Sequence, residues 1–528
     1  MLTKLGRRNQ TVWTMIMSVN LFILVLLILS ALVYSILASG VPEELMIFLL
    51  SVVLLMVFIW SLWSWYVSTN TLFNPYVLFL IAATLFNGGH AFLRIFRLDE
   101  PGGMLEGGFV SVVHGAFSSQ AALRGLFLVI LGLVAFHTGG LLSVPTYRRD
   151  PLKEKARAES TPPRAYALRL IGWGLLTISL IPACLILKDS IALATSSGYF
   201  ATLTQDPTYG IDAAPQKLAD FIVPASLFLL AGSKGHPFKI TLSTLIALGY
   251  SLPFLFVVGS RNQAVMFLCA YAWVYHRTIR PLPKILLLGA GSVLLFIVFP
   301  LVRVFRDVVF GESRFSPTTF LDAYLSIDNP LISLFAETGN SMQTIVYTIG
   351  LVPDHREFDM GASYLYSLST IVPNLFWEVH PARAHGTLGQ WLFQMAAPQM
   401  ADVGGYFTFG FSFIAEAYLN FGWYGAPLAL GIMGFFLGGF VLWADKSNDP
   451  ARIAMVGAFT AFFLIFARGE SHEVVRYIVW YSLIPYAGVC GLRLLMQPKF
   501  HEAREIASQI RGNHLHGSHF TQRRRTDT

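Results

Sequence analysis

The chain reads as a train of long apolar stretches separated by short polar breaks. Runs such as Leu21–Ile36 and Ile285–Phe299 hold no charged residue, and a helix needs about 20 apolar residues to cross a bilayer. The pattern predicts spans at roughly 13–38, 44–67, 75–93, 121–143, 165–187, 217–231, 239–258, 262–277, 283–303, 423–443, 451–467 and 474–495. Two of these, 217–231 and 262–277, are short for a crossing. The strands of a transmembrane barrel would instead alternate polar and apolar residues.

The train stops once, between Val304 and Phe421, a stretch too long for a plain connector. Within it, Leu331–Val352 has a helical period. Glu337, Asn340, Ser341, Thr344 and Thr348 form a polar stripe opposite Leu334, Phe335, Met342, Ile345 and Val346. Such a helix lies on the membrane interface or re-enters it shallowly. Further on, Ser412, Glu416 and Asn420 recur every four residues, which places them on one helix face. The expected fold is therefore an all-α polytopic membrane protein of about twelve spans. It divides into nine spans (1–303), an outer segment with amphipathic helices (304–421), three spans (422–496) and a polar, basic tail (497–528) of disordered character.

Composition agrees. The 528 residues are 55% hydrophobic and only 13% charged, unlike any water-soluble domain. The three cysteines fall inside apolar spans, so neither a disulfide framework nor a cysteine zinc site is expected. The first apolar run, Val12–Leu37, exceeds the ~7–15-residue core of a cleaved signal and is read as an uncleaved span. The net charge of +7 does not point to nucleic acid, because the charges flank spans. Arg148, Arg149, Lys153, Lys155, Arg157 and Arg164, then Lys234 and Lys239, then Arg277, Arg280 and Lys284, and finally Arg523–Arg525 fall on alternate loops. The positive-inside rule assigns those loops to the cytoplasm, together with both termini, so that 304–421 faces outward.

On the outer face arginine replaces lysine, with no Lys between Lys284 and Lys446. The planar fork of Arg suits bidentate recognition of phosphate or carboxylate. Arg261, in Gly259-Ser260-Arg261-Asn262-Gln263, opens a helix, where an anion is already favoured. Arg303 and Arg306 share a helix face. Arg468 and Arg476 bound the polar turn Arg468-Gly-Glu-Ser-His-Glu-Val-Val-Arg476. Glu416, an acid that is costly in so apolar a helix unless paired, is a candidate base or the partner of an arginine, and His385 is a second candidate base. The outer segment also carries the aromatics Trp377, Trp391, Tyr406 and Phe407. No nucleotide loop, HExxH motif or nucleophile elbow is present, which argues against an ATP-driven pump.

Four places together resemble the bacterial O-antigen polymerase (Wzy) and oligosaccharide repeat-unit polymerase family. They are Asn74-Pro75 with Gly88-Gly89, Gly259-Ser260-Arg261, the run Gly410-Phe-Ser-Phe-Ile-Ala-Glu416-Ala-Tyr-Leu-Asn420-Phe-Gly422, and Phe466-Ala-Arg468-Gly469. The resemblance implies a GT-C-like, membrane-embedded glycosyltransferase of the inner membrane. Such an enzyme moves a growing glycan from undecaprenyl diphosphate onto the next lipid-linked repeat unit at the periplasmic face, without metal or other cofactor. Arg261, Arg303, Arg306, Arg468 and Arg476 would then stabilise the diphosphate leaving group. Glu416, Glu337, His385 or Asp402 would serve the acceptor hydroxyl. A chain-length regulator and a flippase are the implied partners, beside the lipid-linked oligosaccharide and the bilayer. The family is also described by paired Arg-rich outer loops, whereas 188–216 here has no Arg, with only Lys188 and Lys217 near its ends. An O-antigen ligase shares the donor and is kept as an alternative by Arg383 and His385. A transporter is the other alternative, and it would place charges mid-span.

Overall fold

The computed structural model describes residues 2–37, 42–98, 105, 117–145, 162–203, 213–302, 318, 321–322, 325, 329–373, 377–398 and 408–496. Among these, the regular structure is helical throughout. The first five helices are α1 (Leu2–Leu37), α2 (Glu43–Thr69), α3 (Pro75–Phe96), α4 (Ser119–Ser143) and α5 (Pro162–Leu203). Then come α6 (Ala214–Ala219), α7 (Ile222–Ala231), α8 (Pro237–Pro253), α9 (Arg261–Thr278) and α10 (Lys284–Val293). The long segment holds α11 (Pro330–Thr338), α12 (Ser341–Leu351), α13 (Ala362–Ser369), α14 (Pro381–His385) and α15 (Leu388–Ala396). The chain returns to the bundle with α16 (Phe413–Asp445), α17 (Pro450–Phe463) and α18 (Ser471–Ile478), the last continuing to Met496.

Eleven helical stretches among the described residues are long and apolar enough to cross a membrane. The twelfth expected span, 262–277, is present as α9 but is too polar to count with them. Its exterior need not be apolar, because α7, α8 and α17 surround it and bury Phe267, Ala270, Trp273 and Val274. The short span at 217–231 is α6 and α7 joined end to end, and α5 runs well past its expected end at 187.

Local chemistry sets the helix starts. Asn74 Oδ1 accepts the Val77 N–H with Pro75 in the first turn of α3, so the Asn-Pro pair is a cap followed by a helix-compatible proline. Ser118 caps α4 and Asp449 caps α17 in the same way.

The centre of the bundle is the contact of α4 with α16, made through glycines. A Cβ on Gly139 would overlap the Gly431 carbonyl, and one on Gly434 would overlap the Phe136 carbonyl. Small residues let membrane helices approach closely enough for backbone-to-backbone packing. Polar groups inside the bundle pair with one another. Asn20 donates to Thr138 (2.5 Å) and accepts from Trp60 (3.0 Å), and His137 lies between Ser64 (2.7 Å) and Tyr76 (3.2 Å).

Ion pairs gather at the two ends of the bundle. Arg277 meets Asp445 at 2.9 Å and Arg493 meets Asp449 at 3.1 Å at one end. Arg94 meets Glu44 and Arg261 meets Glu337 at the other.

The segment 331–352 differs from its expectation. It is two helices, α11 and α12, broken at Gly339 and Asn340, and its polar stripe is not laid on a surface. Ser341, Thr344 and Thr348 are buried, with α12 against α4 and α16. The stripe is satisfied within the protein, since the Thr344 and Thr348 hydroxyls donate to carbonyls one turn back. The break lies where α3 crosses. A Cβ on Gly89 would press on the Phe335 carbonyl and on Gly339, and one on Gly339 on the His90 backbone.

Candidate functional site

The run Phe411–Asn420 is buried throughout. Ser412 caps α16, its hydroxyl accepting from the Ile414 N–H and donating to Asn87 Oδ1 at 2.6 Å. Asn87 Nδ2 in turn donates to the Ala467 carbonyl at 2.9 Å. One asparagine thus ties α3, the start of α16 and the 3-10 turn Leu464–Arg468. Asn87 directly precedes the Gly88-Gly89 pair, so the sequence signal stood one residue away.

Glu416 and Asn420 share a face, as their spacing predicts. Glu416 is 1% exposed, and no arginine forms an ion pair with it among the described residues. Instead its Oε1 accepts the hydroxyls of Ser363 (2.9 Å) and Ser471 (2.5 Å), while Oε2 accepts the Ser471 N–H (2.8 Å). Asn420 donates to Ser363 (2.7 Å) and accepts from the Gly361 N–H (2.8 Å). The pair therefore draws the starts of α13 and α18 onto α16. Past it, Gly422 turns the chain at φ 61, a left-handed conformation natural to glycine.

The turn after Arg468 is buried and acidic. The Arg468 guanidinium lies over the Phe86 ring (5.4 Å) and passes Gly410. Glu470, 4% exposed, accepts the N–H groups of Leu388 (2.9 Å) and Gly389 (3.2 Å) at the start of α15, where a helix favours negative charge. Burial nevertheless pushes its carboxyl up to about 8, reinforced by Glu473 and Glu416, with those two N–H groups pulling the other way.

Arg261 is ion-paired with Glu337, donates to the Phe299 carbonyl (3.2 Å) and lies 5.3 Å from the Phe299 ring centroid. α9, which Arg261 opens, touches the turn that Arg468 closes. Single π-helical turns occur at Phe254–Val258, Leu294–Val298 and Val479–Leu483. Two of them flank Arg261 and Arg476, and such turns are frequent at functional sites.

A third group is built by 354–391. Arg356 grips Asp359 with two nitrogens (3.1 and 2.8 Å) and lies 4.6 Å from the Trp391 ring centroid. His385 Nε2 stands 3.5 Å from Asp359, its ring stacked on Tyr366. Burial and then Arg356 lower the imidazole pKa, and Asp359 opposes them. The N–H groups of Asp359 and Met360 donate to the Leu419 and Asn420 carbonyls, which seats this segment on α16.

The expected residues are thus partly brought together. Glu416 meets the Arg468–Arg476 turn, and Glu337 meets Arg261 in a separate cluster. Trp377 packs on His380, not in these groups. Arg303, Arg306, Asp402, Tyr406 and Phe407 lie outside the described residues, as do the Arg383 side chain and the basic tail. Ser363 and Asp359 had no pattern to mark them, since serines and loop charges are common on any outer segment, whereas Arg356 belongs to the lysine-free outer face and Ser471 to the Arg468–Arg476 turn. A cavity of about 390 Å³ opens between α8 and α9, lined in part by Thr244, Leu245 and Tyr271. It lies far down α9 from Arg261 and takes no part in these groups. No cluster of three or more His, Cys, Asp or Glu fit to hold a metal occurs among the described residues.

Compared with known proteins, residues 15–499 match the family model described as O-antigen polysaccharide polymerase Wzy. No curated protein and no solved structure matches the chain.

Proposed function

Because the chain belongs to the O-antigen polysaccharide polymerase Wzy family, we propose that it joins lipid-linked repeat units at the bundle end where Arg261, Arg468 and Glu416 lie. The observation that carries this reading is convergence. Three segments distant in sequence meet at the start of α16: Asn87 joins Ser412 to the Ala467 carbonyl, and one turn further on Glu416 accepts from Ser471. The positive-inside pattern makes this end periplasmic.

In the proposed reaction the donor is the growing glycan on undecaprenyl diphosphate. A hydroxyl oxygen of the incoming repeat unit attacks the donor's anomeric carbon. The bond from that carbon to the phosphate oxygen breaks, and undecaprenyl diphosphate leaves with the electron pair. Arg468 and Arg261 stabilise the charge that develops on the leaving group. Glu337 orients Arg261.

The hydroxyl proton passes to His385. Asp359 faces Nε2 at 3.5 Å, which leaves Nδ1 as the acceptor, and a lowered pKa keeps the ring unprotonated near pH 7 and so open to a proton. Glu416, sealed and fully occupied by serine donors, acts as a positioning residue.

The test is Arg468→Ala and Arg261→Ala in cells lacking their own copy of the gene. Both should yield lipopolysaccharide with a single repeat unit at normal protein level. A normal ladder of chain lengths in both variants refutes the leaving-group assignment.

A further inference from the structure

Lys217 on α6 stands beside Arg476 on α18, and both address one ring. Lys217 Nζ donates to the Tyr477 hydroxyl at 3.4 Å and lies 5.2 Å from the ring centroid, and the Arg476 guanidinium lies 5.8 Å from the same centroid. The Lys217 carbonyl accepts the Tyr481 hydroxyl at 2.8 Å, which fixes α6 against this helix.

One acid, Asp220, attracts both cations electrostatically without touching either. Asp220 is 4% exposed and accepts from Gln216 (3.1 Å) and Tyr481 (3.4 Å). Glu473, three residues before Arg476, faces Gly469. Among the described residues neither cation has a carboxylate within 4 Å, in contrast to Arg261, Arg277, Arg356 and Arg493. The Nε of Arg476 is buried without a hydrogen-bond partner. Two cations beside a single buried carboxylate keep a net positive charge and repel each other, and a phosphate would offset that cost through charge-assisted hydrogen bonds.

We propose that Lys217 and Arg476 form a second anion subsite, which holds the diphosphate headgroup of one lipid-linked substrate. The ligand's identity rests on the polymerase reading. In that reaction both donor and acceptor carry a prenyl diphosphate, and only the donor's leaves, so two headgroups need separate holds. Arg261 and Arg468, on the α3–α9 side, serve one. Lys217 and Arg476, on the α6–α18 side, serve the other.

The test measures farnesyl diphosphate binding to the full-length protein in nanodiscs of phosphatidylcholine. Lys217→Gln should weaken binding at one of two sites about tenfold, and Lys217→Arg should retain it. The ligand-free melting temperature of each variant reports folding. Equal binding by wild type and Lys217→Gln overturns the subsite. So does loss of the Lys217-dependent binding when phosphatidylglycerol replaces phosphatidylcholine, because the site then belongs to the bilayer headgroups. Inorganic pyrophosphate should compete for this site, and failure to compete excludes headgroup recognition. Lys217-dependent binding by a protein that makes no polymer would sink the polymerase reading and leave the subsite standing. Polymer made with Lys217-independent binding would do the reverse.

Discussion

Ser471 binds Glu416 twice, its backbone N–H donating to Oε2 at 2.8 Å and its hydroxyl to Oε1 at 2.5 Å. A third donor, the Ser363 hydroxyl, completes the set. The carboxylate is a joint between α13, α16 and α18. Glu416→Ala would strand several buried donors, each worth about 1–3 kcal/mol when unsatisfied. The melting temperature of the purified variant should fall by several degrees and polymer should be lost with it. Glu416→Gln, which keeps one acceptor oxygen, should melt between the two. An unchanged melting temperature for Glu416→Ala with abolished activity would return Glu416 to the role of base.

His385 should set the acid limb of the reaction. Its pKa is lowered by burial, so the neutral ring persists below the usual histidine range and activity should fall only on acidification beneath ~6.5. Asp359→Asn should move this limb to still lower pH, because it removes the charge that favours imidazolium, and should reduce kcat more than it raises KM. A pH profile identical in wild type and Asp359→Asn would exclude the pair from the chemistry.

Stability should depend on pH through Glu470. Its folded pKa of about 8 lies above the ordinary glutamate value of ~4.3, so the folded protein binds the proton more tightly than the unfolded chain does. The favourable contribution is fully present below the unfolded value and is lost as pH rises toward 8. The melting temperature should therefore decline between about pH 5 and 8, and Glu470→Gln should flatten that slope. An equal slope in both proteins would contradict this account.

The glycine seam between α4 and α16 should tolerate no side chain. A Cβ on Gly139 or Gly434 overlaps a backbone carbonyl of the other helix, and helices cannot separate there without opening the bundle. Gly434→Leu should sharply reduce the folded fraction recovered by size-exclusion chromatography. Gly249→Ala, where a Cβ meets open space, should be recovered like wild type.

Hydropathy alone made most of the bundle legible, because each span must satisfy its own backbone and present apolar residues to lipid. Its signal is weakest at α9, a helix it placed at 262–277, because other helices cover α9 and leave it free to be polar. The period of four at Ser412, Glu416 and Asn420 correctly placed a helix before span ten. It could not show what that face meets, since the partners Ser363, Ser471 and Asn87 lie 53, 55 and 325 residues away from their contacts. The polar stripe of 331–352 suggested a surface because a stripe looks the same whether water or protein satisfies it. Lys217 stood out only as a lysine at the end of the 188–216 loop, for a related reason: its significance depends on Arg476, which lies far along the chain on another helix.

The most direct measurement is polymerisation by the purified protein in proteoliposomes, given synthetic polyprenyl diphosphate-linked repeat units as both donor and acceptor. The account predicts a ladder of products spaced by one repeat unit, with one polyprenyl diphosphate released per new bond. It also predicts loss of both signals in Arg468→Ala at an unchanged melting temperature. Transfer of a preformed glycan without lengthening, or an undiminished ladder from Arg468→Ala, would contradict it.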